Sequence, residues 1–307
     1  MIMTLEEVVL KLKEHPIYLK NGKGLLSRKF KCSQETIVEA RRIVRGIKNS
    51  NTPKILIFDL ETAPMSAYVW GRWNQNVSLD ATISEWFILC WSAKWLYSDY
   101  IMSDKLTSEE SLNEDDSRII KSLWSLVDEA DIIIAHNAKR ADVKWMNTRF
   151  ILNGLIPPKP YYIIDTLDVA KKEFKFSSNK LDALAGYFGI EHKLGTDFNL
   201  WKKCLDGNEE ALNYMCEYNK KDVEILEDVY LHLRPWIKNH PNLGNISELS
   251  GTRCTHCNSK NINMINEKFY FTSVGKYNLY RCKDCGGISR GRDNLNTSKT
   301  KLAPVLK

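Results

Sequence analysis

"KILIFDLETAP", residues Lys54 to Pro64, sets an aspartate and a glutamate two positions apart at the end of a short apolar run. "ILIFD", Ile55 to Asp59, predicts a buried strand. Side chains alternate along a strand, so Asp59 and Glu61, at i and i+2, project to one face. Two carboxylates a few ångströms apart repel by roughly 4 kcal/mol at an effective dielectric near 20, a cost that divalent cations between them would offset. The pair therefore reads as candidate metal ligands. A lone D-x-E is also a common acidic turn after a strand, so the reading needs support from elsewhere.

The surrounding pattern is α/β. Beyond the opening strand, residues 85–97 and 99–104 predict two more strands, Asp116 to Ala130 an amphipathic helix, and Asp131 to Asn137 a fourth, apolar strand. A helix from about Asp142 to Asn153 follows, then a fifth strand over Tyr161 to Thr166. Helices are expected at 167–174, 180–188 and 209–233. Three strands followed by helix-separated strands predict a mixed five-stranded sheet with helices on both faces.

Two later segments bear on the carboxylates. "IIIAHNAKRAD" ends a strand and enters a helix with Asp142, five residues after Asn137, on the first turn. "YNKKD" puts Tyr218 and Asp222 at i and i+4, hence on one helix face. Singly, Asp142 is also explained as a helix-start residue favoured by the dipole, and Tyr218 with Asp222 as a surface pair.

In order and together, D-x-E, the helix-borne aspartate after "HN", and Y-x-x-x-D resemble the DEDD exonuclease superfamily, DnaQ-like nucleases with an RNase H-like fold. The resemblance covers residues 54–235 and departs from the pattern at Ala141, where an aromatic often precedes the second aspartate. It implies a 3′–5′ exonuclease of the tyrosine (DEDDy) subtype. Asp59, Glu61, Asp142 and Asp222 would hold two Mg2+ or Mn2+ ions, which activate the attacking water and stabilise the leaving 3′ oxygen. Tyr218 would position that water, since a phenol with an ordinary pKa near 10 is a weak base at neutral pH. DNA is the favoured substrate, with Asn137 and Lys180 as candidate nucleic-acid contacts; His136 reads as structural or substrate-contacting, and Asp165 and Ser178 or Asn179 as helix caps. Two rival readings stand beside it. One keeps the fold but makes the protein an RNA exonuclease or a structure-specific endonuclease. The other makes it a DNA-binding regulator with an inert nuclease domain, against which the complete set of four carboxylates speaks.

"CTHC" (Cys254 to Cys257) and "CKDC" (Cys282 to Cys285) lie 24 residues apart, near the spacing of four-thiolate zinc sites. A segment this short buries little core, so one structural Zn2+ on Cys254, Cys257, Cys282 and Cys285 would supply folding energy. A zinc ribbon over 250–292, with two strands in "FYFTSVGKYNLYRC" and His256 as a bystander, is expected, followed by a disordered tail over 293–307. The other four cysteines are scattered, which favours reduced thiols. At the other end, residues 1–50 read as a helical module. Within it, Gly24 to Lys48 reads as a helix-turn-helix with its turn at Lys31 and Cys32 and its second helix capped by Ser33. Arg41, Arg42 and Arg45 then fall outside, facing DNA.

Charge is divided along the chain. Residues 1–50 hold 11 Lys and Arg against 5 Asp and Glu, residues 51–250 hold 22 against 30, and residues 251–307 hold 11 against 3. Basic ends suit a polyanion and an acidic centre suits bound cations. The basic side chains of the ribbon, among them Lys260, Lys268, Lys276, Arg281, Arg290 and Arg292, favour nucleic acid over protein as its partner. Trp70, Trp73, Trp86, Trp91 and Trp95 cluster after the first motif, some for base stacking and most for sheet packing. No apolar run is long enough for a membrane span and the first residues lack a secretory pattern, so a cytoplasmic protein is expected. The length leaves no room for a polymerase, which places any proofreading in trans. A modular nuclease of this kind fits a bacteriophage source.

Overall fold

In the computed structural model, which describes residues 3–15, 18, 23–33, 36–37, 40–41, 52–190, 195–247 and 250–296, the opening stretch is strand β1 (Ile55–Thr62), buried until Asp59. After it come a short ladder of β2 (Ser66–Ala67) and β3 (Thr82–Ser84), then β4 (Ile88–Trp95), β5 (Met102–Lys105), β6 (Ile132–Ala135) and β7 (Tyr162–Asp165). The main sheet has the order β5-β4-β1-β6-β7. β1 runs antiparallel to β4 and parallel to β6, so the five-stranded mixed sheet expected from sequence is present, with β1 at its centre.

Two helices between residues 54 and 230 were absent from the pattern reading, α3 (Ser108–Leu112) and α8 (Phe198–Leu205). Their starts are fixed by caps, Thr107 with Glu110 in one and Asp197 in the other, and α3, five residues long, is too short for apolar periodicity to register. The other helices of this stretch are where periodicity put them: α4 (Ser117–Glu129), α5 (Asp142–Leu152), α6 (Thr166–Glu173), α7 (Leu181–Tyr187) and α9 (Glu209–Leu233). Ile119, Ile120, Leu123 and Val127 of α4 pack with Leu56, Phe58 and Leu60 of β1 in the main core, joined by Val143, Met146 and Phe150 of α5. Asp116 precedes α4 but does not cap it. Its buried carboxylate accepts from Ile88 N at 2.9 Å and Arg149 Nη2 at 2.6 Å, tying β4 to α5.

The start of α7 corrects one expectation. Lys180 stands at the cap position with no side-chain cap, and Ser178 Oγ instead accepts weakly from Lys180 N at 3.4 Å.

The chain divides into two compact units, Lys54–Tyr230, just described, and a second made of Met1–Pro53 with Leu231–Lys307. In the second, α1 (Leu5–Glu14) begins with a Thr4/Glu7 capping box and is followed by α2 (Lys23–Phe30). The chain reverses at Lys31, whose φ is +49°, and Ser33 Oγ accepts from Thr36 N at 3.0 Å. The turn and the Ser33 contact were read from sequence. Val8, Leu12, Leu26, Phe30, Ile37 and Ala40 share a small core. Arg41 is not outside it. The residue is 8% exposed, with its guanidinium donating to the Tyr18 carbonyl at 3.5 Å, because the chain before α2 folds over the position that a two-helix reading leaves open. Arg42 and Arg45 lie outside the described residues.

At the C-terminal end, helix α10 (Leu243–Ile246) precedes β8 (Ile262–Phe271), β9 (Lys276–Cys282) and β10 (Ile288–Arg290), an antiparallel sheet in the order β10-β9-β8. Sequence suggested two strands; the third, only three residues long, is completed by pairing rather than by pattern. The first residues of the expected tail hold contacts of their own. Asn294 Oδ1 accepts from Lys276 N at 3.1 Å, and Leu295 N donates to Lys276 O at 2.7 Å, so both residues are fastened to β9. Residues 297–307 lie outside the described residues. Among the described residues no helix is long and apolar enough to cross a membrane.

Candidate metal and active site

Asp59 and Glu61 occupy the stretch of β1 where burial gives way to partial exposure. Helix α9 supplies the third carboxylate, Asp222, which is 3% exposed. Oxygen atoms of Asp59, Glu61 and Asp222 all lie within 4.8 Å of one another. β1 and α9 are also linked directly, across 160 positions: Asn219 Nδ2 donates to Asp59 Oδ2 at 2.7 Å. Asn219 is 0% exposed and shares the α9 face of Asp222, three residues on. The sequence reading did not single it out, although its i, i+3 spacing from Asp222 was the available signal.

Pairing in the sheet fixes what flanks the carboxylates. Ser92 of β4 pairs with Asp59, and Cys90 with Glu61, so these side chains share the carboxylates' face. Burial pushes the Cys90 thiol well above its ordinary range, with the Glu61 charge adding to the effect, so it remains a neutral neighbour. Further along the same strand, Lys94 Nζ meets Glu227 Oε2 of α9 at 2.5 Å, and Glu227 Oε1 accepts from Tyr97 N at 2.7 Å. This buried pair fixes α9 against β4 five residues beyond Asp222.

Asp142 is the first residue of α5 and is buried. It stands outside the 4.8 Å group of three. Burial raises its carboxyl to about 7, opposed by its own backbone N–H and reinforced by the charge of Asp165. The loop that delivers it turns at Asn137, whose φ is +74°. Asp165 holds that loop: its two oxygens accept from Asn137 N at 3.0 Å and Lys139 N at 3.1 Å, while Oδ1 also accepts from Leu167 N and Asp168 N at the start of α6. Capping was foreseen; the grip on a loop 26–28 residues earlier was not, because only folding brings the two together. His136 bonds through both ring nitrogens, to Thr166 Oγ1 at 2.9 Å and to the Asn179 carbonyl at 3.0 Å, which gives it a structural place. Tyr218 is half-buried against the main core, and Lys180 is exposed.

The donor set is hard oxygen throughout, which suits Mg2+ or Mn2+. Three carboxylates this close carry mutually repelling charge that a bound cation would offset. Asn219 Oδ1, buried and with no hydrogen-bond partner among the described residues, adds to the polar lining.

The tryptophans divide. Trp91 is buried and donates to Ile119 O at 2.8 Å, and Trp86 lies 6.2 Å from the Trp145 ring, whereas Trp70 and Trp73 are exposed on the excursion between β2 and β3.

Residues 94–234 match the family model of the RNase_H superfamily. The central unit has an RNase H-like fold. The matched region of this RNase H-like unit begins late in β4, so it includes Asp142, Tyr218 and Asp222 and leaves out β1 with Asp59 and Glu61. Among solved structures, the family B DNA polymerase from the hyperthermophilic archaeon Pyrobaculum calidifontis is similar at 14% identity over 64% of this chain, with a TM-score of 0.44. The similarity spans 27% of that polymerase's length. No curated protein matches the chain.

In the second unit, Cys254, Cys257, Cys282 and Cys285 have their sulfurs within 4.8 Å of one another. Cys254 to Cys285 and Cys257 to Cys282 are each 3.6 Å, too long for disulfides and close to the spacing of about 3.8 Å that a tetrahedral ion with bonds of about 2.3 Å to sulfur imposes. Both C-x2-C turns close alike, through Asn258 N to Cys254 O and Gly286 N to Cys282 O, with Asn258 and Gly286 at positive φ. Hydrogen bonding from Cys254 and Cys257 draws Cys282 down to about 7 and holds Cys285 lower still. His256 bonds to Ile237 O and Thr255 Oγ1 through its two ring nitrogens, away from the sulfurs, as its bystander role requires. On the ribbon, Lys276 lies 3.8 Å over the Phe269 ring and Arg290 lies 4.5 Å over Tyr277, so its cations stand among aromatic rings.

Proposed function

We propose that this protein is a metal-dependent 3′–5′ exonuclease of the DEDDy type, hydrolysing phosphodiester bonds of DNA. The convergence of Asp59, Glu61 and Asp222 within 4.8 Å on an RNase H-like sheet carries this reading. These three would hold one Mg2+ or Mn2+ ion. Asp142, outside that group of three, would serve a second ion. Bound there, the ions would activate water and stabilise the departing 3′ oxygen. Asn219 keeps one oxygen of Asp59 occupied and so fixes how the carboxylate is presented. Tyr218 orients the nucleophilic water by hydrogen bonding. Asp165 holds the loop that leads to Asp142, and Asn137 and Lys180 would contact the substrate strand.

The four cysteines would bind one structural Zn2+, and the ribbon's basic and aromatic side chains would hold the polymer, as would the N-terminal helical module. The test is a product ladder from 3′-labelled and 5′-labelled oligonucleotides, in single and double strands, with Mg2+ and with EDTA. Stepwise shortening from the 3′ end in Mg2+ alone is expected. Intact substrate under both conditions would overturn the proposal, and internal cuts or a preference for ribose-containing strands would replace it with a rival substrate or mode of cutting.

A further inference from the structure

The central unit is acidic overall, yet "KKEFKFSSNK", Lys171 to Lys180, holds four lysines and one glutamate. All four lysines are exposed and make no ion pair among the described residues; Lys121, Lys144, Lys202 and Lys203 of the same unit are alike in this, but here four such lysines fall within ten residues. Between the lysines stand aromatic rings. Phe174 stacks on Phe176 at 5.1 Å, and Phe176 on Tyr187 of α7 at 5.4 Å with planes only 12° apart. Tyr187 is 50% exposed. Near the end of the segment the Asn179 carbonyl bonds to His136, beside the loop that carries Asp142.

Helix dipoles favour cations in a last turn, which accounts for Lys171 and Lys172 at the end of α6 but not for Lys175 beyond it. Nor does it account for the ring stack. Positive charge interleaved with stacked rings is the chemistry that binds an unpaired polynucleotide, phosphates to ammonium groups and bases to ring faces.

We infer that Lys171, Lys172 and Lys175, with Phe176 and Tyr187, form a track that guides an unpaired strand toward the carboxylates. The inference rests on the nuclease reading for its direction, and it names single-stranded polynucleotide as what the site receives.

The test measures binding of the full chain to oligodeoxythymidylate, to oligouridylate and to a blunt duplex in EDTA by fluorescence anisotropy across a salt series. The Lys171→Gln, Lys172→Gln, Lys175→Gln triple variant should bind single strands about tenfold or more weakly at low salt, with the slope of log affinity against log salt reduced by about 2. Tyr187→Ala should weaken single-strand binding about 5- to 100-fold with the salt slope unchanged and duplex binding spared. Melting temperatures of both variants are read alongside, since a purely structural role would lower them and leave the slope alone. Which single strand responds distinguishes DNA from RNA. Unchanged affinity and slope in the triple variant, or equal loss on duplex and single strand in Tyr187→Ala, overturns the track. Lysine-dependent binding in EDTA without any cutting in Mg2+ would sink the nuclease reading and keep the track. Cutting with binding indifferent to both variants would do the reverse.

Discussion

At the scale of single residues, the candidate site assigns different work to neighbours on one helix face. Asp59 belongs to the carboxylate trio and accepts from Asn219, so Asp59→Ala should abolish cleavage, while Tyr218→Phe, which removes only the hydroxyl proposed to orient the water, should leave a slow remainder. Single-turnover rates on a 3′-labelled strand measure both, and equal mild losses would refute the division of roles. Asn219 acts through Asp59. Its hydrogen bond supports a would-be metal ligand from behind, a kind of contact whose loss typically lowers metal affinity about 10- to 100-fold. Asn219→Ala should therefore weaken Mn2+ binding by calorimetry to that extent, and unaltered affinity would reduce Asn219 to packing.

Among elements, the question is what holds α9 in register with the sheet. The Lys94–Glu227 pair is the clearest answer, being buried on both sides. Taking two charges out of water is costly, so the pair is weak evidence of net stabilisation, but removing one partner leaves the other buried and unpaired at roughly 3–5 kcal/mol. Lys94→Met should lower unfolding free energy by about that amount in urea titrations; a loss below about 1 kcal/mol would mean that Glu227 finds water. On the far side of the unit, Arg118 joins α4 to α3 and β5 through Glu110 at 2.6 Å and Asp104 at 2.7 Å. Its hydrogen bond holds the Glu110 carboxyl at about 2, below its ordinary 4.5. A depressed carboxyl contributes stability that is complete above about 4.5 and is lost as pH falls toward 2. Arg118→Ala should flatten stability against pH across that acid window and change the slope little above it, as followed by urea midpoints from pH 2 to 6.

The two compact units call for different stabilising agents. The central unit has an extended apolar core, whereas the buried cluster around the four cysteines consists of Cys254, Cys282 and Cys285, with Cys257 and Ile262 beside them. A metal bound by the four cysteines would supply what such a small core lacks. Phenanthroline with Mg2+ in excess should therefore release amide protection across β8 to β10 while β1, β4 and β6 stay protected in hydrogen exchange. Protection lost uniformly, or retained in the ribbon, would contradict a structural metal there.

The amino-acid sequence alone determined the elements and the ligand types. Apolar runs and helical periodicity placed the five sheet strands and the long helices, because strands and helices of that length bury a face whose spacing is written locally. The spacing of D-x-E, Y-x-x-x-D and the paired C-x2-C turns likewise identified the chemical groups, since each is a short-range pattern. The tertiary structure alone decided which groups meet. Asn219 against Asp59, Asp165 gripping the Asn137 loop, Lys94 against Glu227 and the burial of Arg41 are contacts across tens to more than a hundred residues, and no local pattern encodes their partners. Short elements such as α3 and β10 escaped for a related reason: they are too brief to carry a period, and a cap or a neighbouring strand fixes them. Periodicity is a property of one segment, whereas a site is a property of several segments held together by the core they share.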